Sequence, residues 1–208
     1  MFTTCCEHAW FNAPMPPETH VPYDPLSTIA PEIAERARQV RLVCLDVDGT
    51  LTDGRLYFDS EGNESKSFSV LDGQGLVQLR RFGFHVALIT ARHSLVAQKR
   101  GADLGLETHI GVADKLECMD ALIARHGLDR SQACFVGDDL PDLDCLRVVG
   151  LSVAPSNAHP WVAELVHWRT RGRAGEGAVR EVCDVLLAAH GHVPAILAGH
   201  ASRDGRRA

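Results

Sequence analysis

The sequence predicts an α/β fold in which a mainly parallel sheet lies between two layers of helices. From residue 40 onwards, short apolar runs alternate with helical segments, which is typical of parallel strands joined by right-handed crossovers. The runs around Cys44 and Cys134 are apolar at nearly every position, as in buried strands. The 208 residues are 45% hydrophobic and 23% charged, which suits one globular domain with appendages. Together these features indicate a three-layer, Rossmann-like arrangement.

Local signals predict the elements in chain order. Strands of the main sheet are predicted at residues 40–45, 85–90, 108–111, 133–137, 151–153 and 166–169. Helices are predicted at residues 31–39, 75–82, 94–104, 115–127, 141–148, 161–165 and 179–190. Pro31 suits a first helical turn, Ser94 is a capping residue, and Gly127 ends a helix. The turn-rich stretch 59–63 lies between two strand-like runs, 55–58 and 65–70, and predicts a β-hairpin.

Both ends of the chain differ from its centre. Residues 1–39 contain six of the ten prolines, which disfavour regular ladders, so we expect a mostly disordered extension in which residues 1 to about 27 lack order. The folded domain is expected at residues 40–190. Residues 191–208 are expected to form a tail that is frayed from residue 199.

Composition and charge exclude several functions. The net charge is −6, which argues against a nucleic-acid-binding or basic membrane-surface protein. The apolar runs are far shorter than the ~18 residues that a membrane span needs. The seven cysteines contain no CxxC pair, so reduced thiols are expected. The first residues lack a secretory pattern, and we expect a cytoplasmic protein.

Polar side chains follow several predicted strands, where each strand ends. They are Asp46, Asp48, Thr90, Lys115, Asp138, Asp139 and Asp142. Ligands of open α/β sheets bind at the carboxyl ends of the strands. Four separate segments therefore converge on one edge of the sheet, and this edge is the candidate active site.

These residue types are suited to phosphomonoester hydrolysis. Clustered carboxylates repel one another unless a cation joins them, and oxygen-only ligands suit Mg²⁺. One carboxylate can attack phosphorus to form an aspartyl-phosphate, and a second one two residues away can protonate the leaving oxygen and later activate water. A lysine and a hydroxyl can hold the phosphoryl oxygens.

Other readings of the acids are weaker. An EF-hand calcium loop needs glycine at its sixth position, whereas Gly49 stands fourth when counted from Asp46. Helix caps and loop charges explain a single pair of acids but not four ordered segments. A receiver-type signalling domain would need an aspartate at the end of the middle strand, where Thr90 stands.

At these residues the chain resembles the haloacid dehalogenase superfamily of phosphatases. DVDGT at 46–50 matches the first motif, Thr90 the second, Lys115 the third and GDDLPD at 137–142 the fourth. The resemblance covers about residues 40–190. It implies that Thr90 and Lys115 hold the phosphate.

The resemblance also implies roles for the acids. Asp46 would be the nucleophile, and Asp48 the general acid and base. Mg²⁺ would be held by Asp46, Asp138 and the backbone carbonyl of Asp48. Asp139 and Asp142 would lie behind these ligands and orient them.

The spacing of the motifs predicts that no cap domain is present. Only 41 residues separate Gly49 from Ala91, and 24 separate Thr90 from Lys115, so each gap has room for little more than a hairpin or a helix. Among the capless members, the chain is similar to the 3-deoxy-D-manno-octulosonate 8-phosphate phosphatases, in DVDGTLTDGRLYF, KSFSVLDGQG and RAGEGAVREVCD. It departs from them at Ala91 and Ala174, where glycine is usual.

This narrower resemblance implies partners and a pathway. These enzymes are homotetramers in which hairpins cover neighbouring sites and the C-terminal segment reaches an active site, and they serve lipopolysaccharide biosynthesis. Arg92 would then bind the carboxylate of a sugar-acid phosphate, Lys66 would contact the substrate or a neighbouring subunit, and Arg173 would bind the carboxylate in trans. A surface salt bridge for Arg92 and a solvated strand face for Lys66 are the alternatives. A phosphatase for another nonulosonate phosphate, such as a 9-phosphate, and a non-catalytic oligomerisation subunit are the alternative functions.

Overall fold

A computed structural model describes the backbone of residues 23–204 and the side chains of residues 23–199. The strands are β1 (Leu42–Leu45), β2 (Tyr57–Phe58), β3 (Glu64–Ser65), β4 (His85–Ile89), β5 (Glu107–His109), β6 (Ala133–Val136), β7 (Leu151–Ala154) and β8 (Trp168–Arg169). The α-helices are α1 (Pro31–Gln39), α2 (Val70–Arg81), α3 (Leu95–Leu104), α4 (Lys115–Arg125), α5 (Leu143–Leu146), α6 (Pro160–Ala163), α7 (Ala178–Ala189) and α8 (Val193–Asp204). Short 3-10 helices span Pro25–Thr28, Arg130–Gln132 and Leu140–Asp142.

The main sheet has six strands in the order β5-β4-β1-β6-β7-β8, and every pairing is parallel. Alternate residues of β1 point to opposite faces: Val43 and Leu45 pack with α1, α2, α3 and α7, whereas Leu42 and Cys44 pack with α4, α5 and α6. All four are buried. The predicted three-layer α/β fold is therefore confirmed.

The topology places the site at the centre of the sheet. From β1 the chain passes to β4 and β5 on one side and then crosses to β6 on the other. Strand order thus reverses next to β1, and loops at the carboxyl ends of strands diverge there to leave a crevice. The loops after β1, β4 and β6 all lie at this crevice.

The hairpin flap is present but shorter than predicted. Tyr57 pairs with Ser65 and Phe58 with Glu64, and the second strand ends at Ser65 instead of residue 70. Ser69 caps α2 by accepting the N–H of Asp72 at 3.4 Å, so this helix begins at Val70 and not at residue 75. The run at residues 65–70 resembles a strand in its composition, but the capping Ser69 within it starts a helix. Between β1 and β4 the described chain holds only this hairpin and α2, as a capless fold requires.

The folded unit extends beyond both predicted boundaries. Residues 25–39 form a 3-10 helix and α1, and the buried Ile33 and Ala37 join the core, so a domain start at residue 40 lies too late. At the other end, α8 continues through residues expected to be frayed, and Ile196 packs against the core. Burial of apolar side chains explains both differences. Residues 1–22 and 205–208, where disorder and fraying were also predicted, lie outside the described residues.

Among the helices within residues 23–204, no single one is long and apolar enough to cross a bilayer. Helix α7 and Val193–Gly199 together have the length and composition of a span, but they are bent by 106° relative to each other.

Candidate active site

Asp46 and Lys115 form the centre of the site. Asp46 follows β1 directly, and its N–H donates to the Val136 carbonyl at 3.0 Å, so β6 fixes its backbone. Lys115 is the first residue of α4, which Asp114 caps by accepting the N–H of Glu117. The Lys115 ammonium donates to Asp46 Oδ1 at 2.6 Å, and the side chains of Lys115 and Asp46 are both more than nine-tenths buried. The structure thus joins two residues that are 69 positions apart in the sequence.

The Lys115 ammonium also donates to Asp142 Oδ1 at 2.6 Å. Burial opposes the charge of Lys115, but Asp46 and Asp142 outweigh it and raise its pKa. Burial and then Asp142 raise the pKa of Asp46 to about 6, although Lys115 acts in the opposite direction. The site therefore holds a positively charged lysine between carboxylates whose negative charges it does not fully neutralise.

The acids gather closely enough for a cation. Carboxylate oxygens of Asp46, Asp138 and Asp142 lie within 4.8 Å of one another. Burial, followed by Asp46 and Asp142, raises the pKa of Asp138 to about 7, even though Thr50 Oγ1 donates to its Oδ1 at 3.0 Å. An oxygen-only cluster with excess negative charge suits a hard cation such as Mg²⁺. The donor set therefore fits the predicted cofactor.

Asp142 links Lys115 to the acidic loop that follows β6. Its Oδ1 contacts Lys115, while its Oδ2 accepts the N–H groups of Asp138 at 3.0 Å and Asp139 at 3.3 Å. One side chain thus orients the acidic loop and adds a charge beside Asp46. Asp139 is exposed and accepts the N–H of Leu140 at 2.8 Å, which starts the following 3-10 helix.

Gly49 has a steric role in this arrangement. Its φ is +89°, in the left-handed region that favours glycine. A Cβ at this position would stand 2.1 Å from Asp138 Oδ2. The glycine of the first motif therefore lets the loop after β1 approach the carboxylate that follows β6.

These residues line a cavity of about 300 Å³ at the crevice. Its lining residues are Asp46, Asp48, Gly49, Gly54, Thr90, Ala91, Arg92, Lys115, Asp138, Asp139, Pro141 and Asp142. Thr90 is buried at its wall, and its Oγ1 accepts the N–H of Arg92 at 3.2 Å. Seven predicted residues, from Asp46 to Asp142, thus meet in one cavity, and Arg92 lies there as well.

Asp48 faces a second set of charges at the mouth of the cavity. Lys66, from the segment after β3, forms an ion pair with Asp48 Oδ1, and Arg92 Nε lies 3.6 Å from Asp48 Oδ2. The side chain of Lys66 is 1% exposed, so the alternative of a solvated strand face is wrong. Arg92 is 42% exposed and also pairs with Glu64, so its surface salt bridge and its place at the cavity coexist.

Sequence reasoning missed Glu64. Its Oε1 accepts from Lys66 at 3.2 Å and from Arg92, and its Oε2 accepts from Ser94 at 2.9 Å. The signal for it is weak: Glu64 and Lys66 are two positions apart, a spacing that places side chains on one face of an extended chain, but β3 ends at Ser65.

Arg173 is not brought to the cavity within this chain. Its side chain is 61% exposed, and its Nε lies 3.9 Å from Glu176. The neighbouring Gly175 does approach the site, since its N–H donates to the Thr50 carbonyl at 3.3 Å. The glycine-rich segment 172–177 therefore contacts the loop after β1, while the side chain of Arg173 is exposed.

The fold and this site are those of the haloacid dehalogenase-like hydrolases. The sequence pattern of that family matches residues 108–182, which include Lys115 and the acidic loop after β6.

More specific relatives cover most of the chain. The 3-deoxy-D-manno-octulosonate 8-phosphate phosphatase KdsC of Yersinia pestis is 40% identical over 163 residues, which are 77% of this chain and 87% of that protein. A hypothetical protein from Xanthomonas campestris has a similar structure, with a TM-score of 0.84 and 63% identity over 85% of this chain and 97% of that one. A 3-deoxy-D-manno-octulosonate 8-phosphate phosphatase from Moraxella catarrhalis, solved with magnesium, phosphate and KDO, gives a TM-score of 0.79 and 36% identity over 81% and 98% of the two chains. The chain belongs to the family of 3-deoxy-D-manno-octulosonate 8-phosphate phosphatases.

Proposed function

We propose that this protein is a Mg²⁺-dependent phosphomonoesterase that converts 3-deoxy-D-manno-octulosonate 8-phosphate into 3-deoxy-D-manno-octulosonate and phosphate. The observation that carries the proposal is the close group of Asp46, Lys115, Asp138 and Asp142 inside one cavity at the end of β1. The names of the relatives indicate the substrate, and the arrangement of these side chains supports the type of reaction.

Asp46 is the nucleophile in this proposal. Its carboxylate oxygen forms a bond to phosphorus while the bond from phosphorus to the sugar oxygen breaks, and Asp48 gives that oxygen its proton. Asp48 then takes a proton from water, whose oxygen attacks phosphorus and releases inorganic phosphate and the free Asp46 carboxylate. The lysine contact at 2.6 Å holds Asp46 in one orientation throughout.

Lys115 and Thr90 would hold the phosphoryl group, because both line the cavity beside Asp46. Asp46, Asp138 and the backbone carbonyl of Asp48 would hold Mg²⁺, with Asp142 next to them. When bound, the ion offsets the negative charge of the carboxylates and of the phosphoryl oxygens. Asp139 would shape the rim of the cavity.

The sugar-acid carboxylate would meet the cations at the mouth. Arg92 suits it because a guanidinium can bind a carboxylate through two parallel hydrogen bonds. Lys66 adds a second positive charge from the flap. Arg173 would contribute across a subunit boundary, since it is exposed and does not line the cavity of its own chain.

A homotetramer is part of the proposal. The hairpin and its surroundings expose large apolar side chains, namely Leu56, Tyr57, Phe58, Val70, Leu71 and Leu95. Contiguous exposed apolar surface favours assembly, and a capless site gains a cover from a neighbouring flap. A cytoplasmic location is supported by the five described cysteines, all of which are free thiols. A role in lipopolysaccharide biosynthesis follows from the family resemblance.

The deciding experiment is phosphate release from 3-deoxy-D-manno-octulosonate 8-phosphate with Mg²⁺ and with EDTA, beside nonulosonate 9-phosphates and p-nitrophenyl phosphate. We expect selective, metal-dependent turnover of the 8-phosphate. Turnover of a 9-phosphate alone would keep the Asp46 chemistry and change the substrate. Folded protein without any turnover would favour a non-catalytic oligomerisation subunit. A monomeric mass by light scattering would remove the part of the proposal that concerns neighbouring subunits.

A further inference from the structure

We propose that Glu64 is a positioning residue that holds Arg92 and Lys66 ready for the carboxylate of the substrate. Glu64 lies on β3, outside the sequence motifs. The substrate part of this inference rests on the proposed function, whereas the ordering of Arg92 by Glu64 does not depend on it.

The carboxylate of Glu64 is anchored from the core side. Ser94 Oγ donates to Glu64 Oε2 at 2.9 Å. Ser94 is itself buried, and it also caps α3 by accepting the Ala97 N–H at 3.4 Å. The carboxylate therefore sits at the start of a ten-residue helix, where the helix dipole favours a negative charge. The flap is thus joined to the loop after β4 through a fixed acid.

The other oxygen of Glu64 faces the two cations. Oε1 accepts from the Arg92 guanidinium and from the Lys66 ammonium at 3.2 Å. Partial burial opposes the charge of Glu64, but Ser94, Lys66 and Arg92 outweigh it and hold the pKa of Glu64 below its usual value. At neutral pH Glu64 is consequently a stationary negative charge between two long, flexible side chains.

The ordering of Arg92 by Glu64 should affect recognition of the substrate more than the breaking of its phosphate ester bond. A free arginine loses rotamer freedom when it binds a ligand, and a side chain that is already ordered avoids that cost. Arg92 contacts Glu64 through Nη2 and has Nε 3.6 Å from Asp48 Oδ2, and the residue lines the cavity, so its remaining N–H groups are those that a substrate carboxylate would meet. Removal of the anchoring charge should therefore weaken selection for sugar acids.

Kinetics of Glu64→Gln provide the first test, since this variant keeps the shape and removes the charge. We expect the ratio of kcat/KM for 3-deoxy-D-manno-octulosonate 8-phosphate to kcat/KM for p-nitrophenyl phosphate, which lacks a carboxylate, to fall about tenfold, mainly through KM. Glu61→Gln, an exposed change on the same hairpin, should leave the ratio unaltered. In an Arg92→Ala background, Glu64→Gln should alter the ratio by less than about threefold, because the residue it positions is gone.

A spectroscopic test separates positioning from function. The Nε–Hε NMR signal of Arg92, assigned by its loss in Arg92→Lys, should be sharp in the wild type and in Glu61→Gln and broadened in Glu64→Gln. A sharp signal in Glu64→Gln would overturn the ordering of Arg92. An unchanged ratio, or equal effects with and without Arg92, would overturn the role in recognition. If the wild type hydrolyses only p-nitrophenyl phosphate, the proposed substrate fails, and the NMR signal alone still decides whether Glu64 orders Arg92.

Discussion

Replacement of Lys115 by methionine should destabilise the protein in a pH-dependent way. The change keeps the length of the side chain and removes a buried charge that makes two hydrogen bonds of 2.6 Å, to Asp46 and Asp142. Each charge-assisted hydrogen bond contributes about 1.5–3 kcal/mol net. Loss of one partner of a buried ion pair costs about 3–5 kcal/mol. We therefore expect the free energy of unfolding to fall by about 3–5 kcal/mol at pH 7.5 without metal.

The pH dependence follows from the carboxylates that remain. The pKa of Asp46 is raised to about 6 and that of Asp138 to about 7, so both take up protons as the pH falls. At pH 5 the wild-type ion pair is itself weakened and the variant no longer holds bare charges, so the difference between the two proteins should shrink.

Urea unfolding in EDTA at pH 5 and at pH 7.5 measures both effects. Lys99→Met is the matched control, because Lys99 is 81% exposed and lies 3.9 Å from Asp103, a pair worth at most about 0.5 kcal/mol. A loss below about 1 kcal/mol for Lys115→Met at pH 7.5, or one that does not change with pH, would refute the view that Lys115 compensates the acidic cluster.

The remaining predictions concern the acids and the glycine of the first motif. Asp46→Asn should abolish turnover, at least about a thousandfold in kcat, while circular dichroism shows an intact fold; a variant that keeps a large fraction of the wild-type rate would contradict the nucleophile assignment. Because Asp46 and Asp138 have raised pKa values, the metal-free protein should lose thermal stability as pH rises from 5 to 8, and Mg²⁺ should restore it at pH 8; an equal melting temperature with EDTA and with Mg²⁺ at pH 8 would argue against the metal site. Gly49→Ala should reduce activity and stability more than Gly62→Ala, since both have positive φ but only Gly49 would place a Cβ against Asp138; equal effects in melting and kcat would show backbone strain alone.

The core of the fold was predictable because its signals are local. Apolar runs such as those of β1 and β6 lie within one stretch of sequence, and their burial on both faces makes nearly every position apolar. The start of α2 was misplaced because Ser69 and Asp72 form a cap whose strength depends on the packing of the helix that follows. The helix at residues 31–39 was predicted, but its packing on the domain was not, since Ile33 and Ala37 are buried by contacts with elements distant in the sequence.

The candidate site shows the same difference between local signals and contacts made by distant residues. Asp46, Thr90, Lys115 and Asp138 could be chosen from the sequence because each follows a strand or begins a helix, and parallel strands bring these ends together. The partners of these residues could not be chosen in this way: Glu64 was absent from the prediction, and the hydrogen bonds of Asp142 to Lys115 and to the backbone of Asp138 are evident only in the tertiary structure.

By itself, then, the sequence determined the alternation of strands and helices, the edge of the sheet where the polar residues gather, and the chemistry that those residue types allow. Only the tertiary structure decided that Lys115 bridges Asp46 and Asp142, that Lys66 is buried against Asp48, and that Arg173 does not line the cavity of its own chain. The physical reason is the distance along the chain over which each effect acts. Propensity and periodicity act over a few neighbouring residues, whereas ion pairs, burial and pKa shifts arise from groups that are close in space but distant in the chain, such as Asp46 and Asp142.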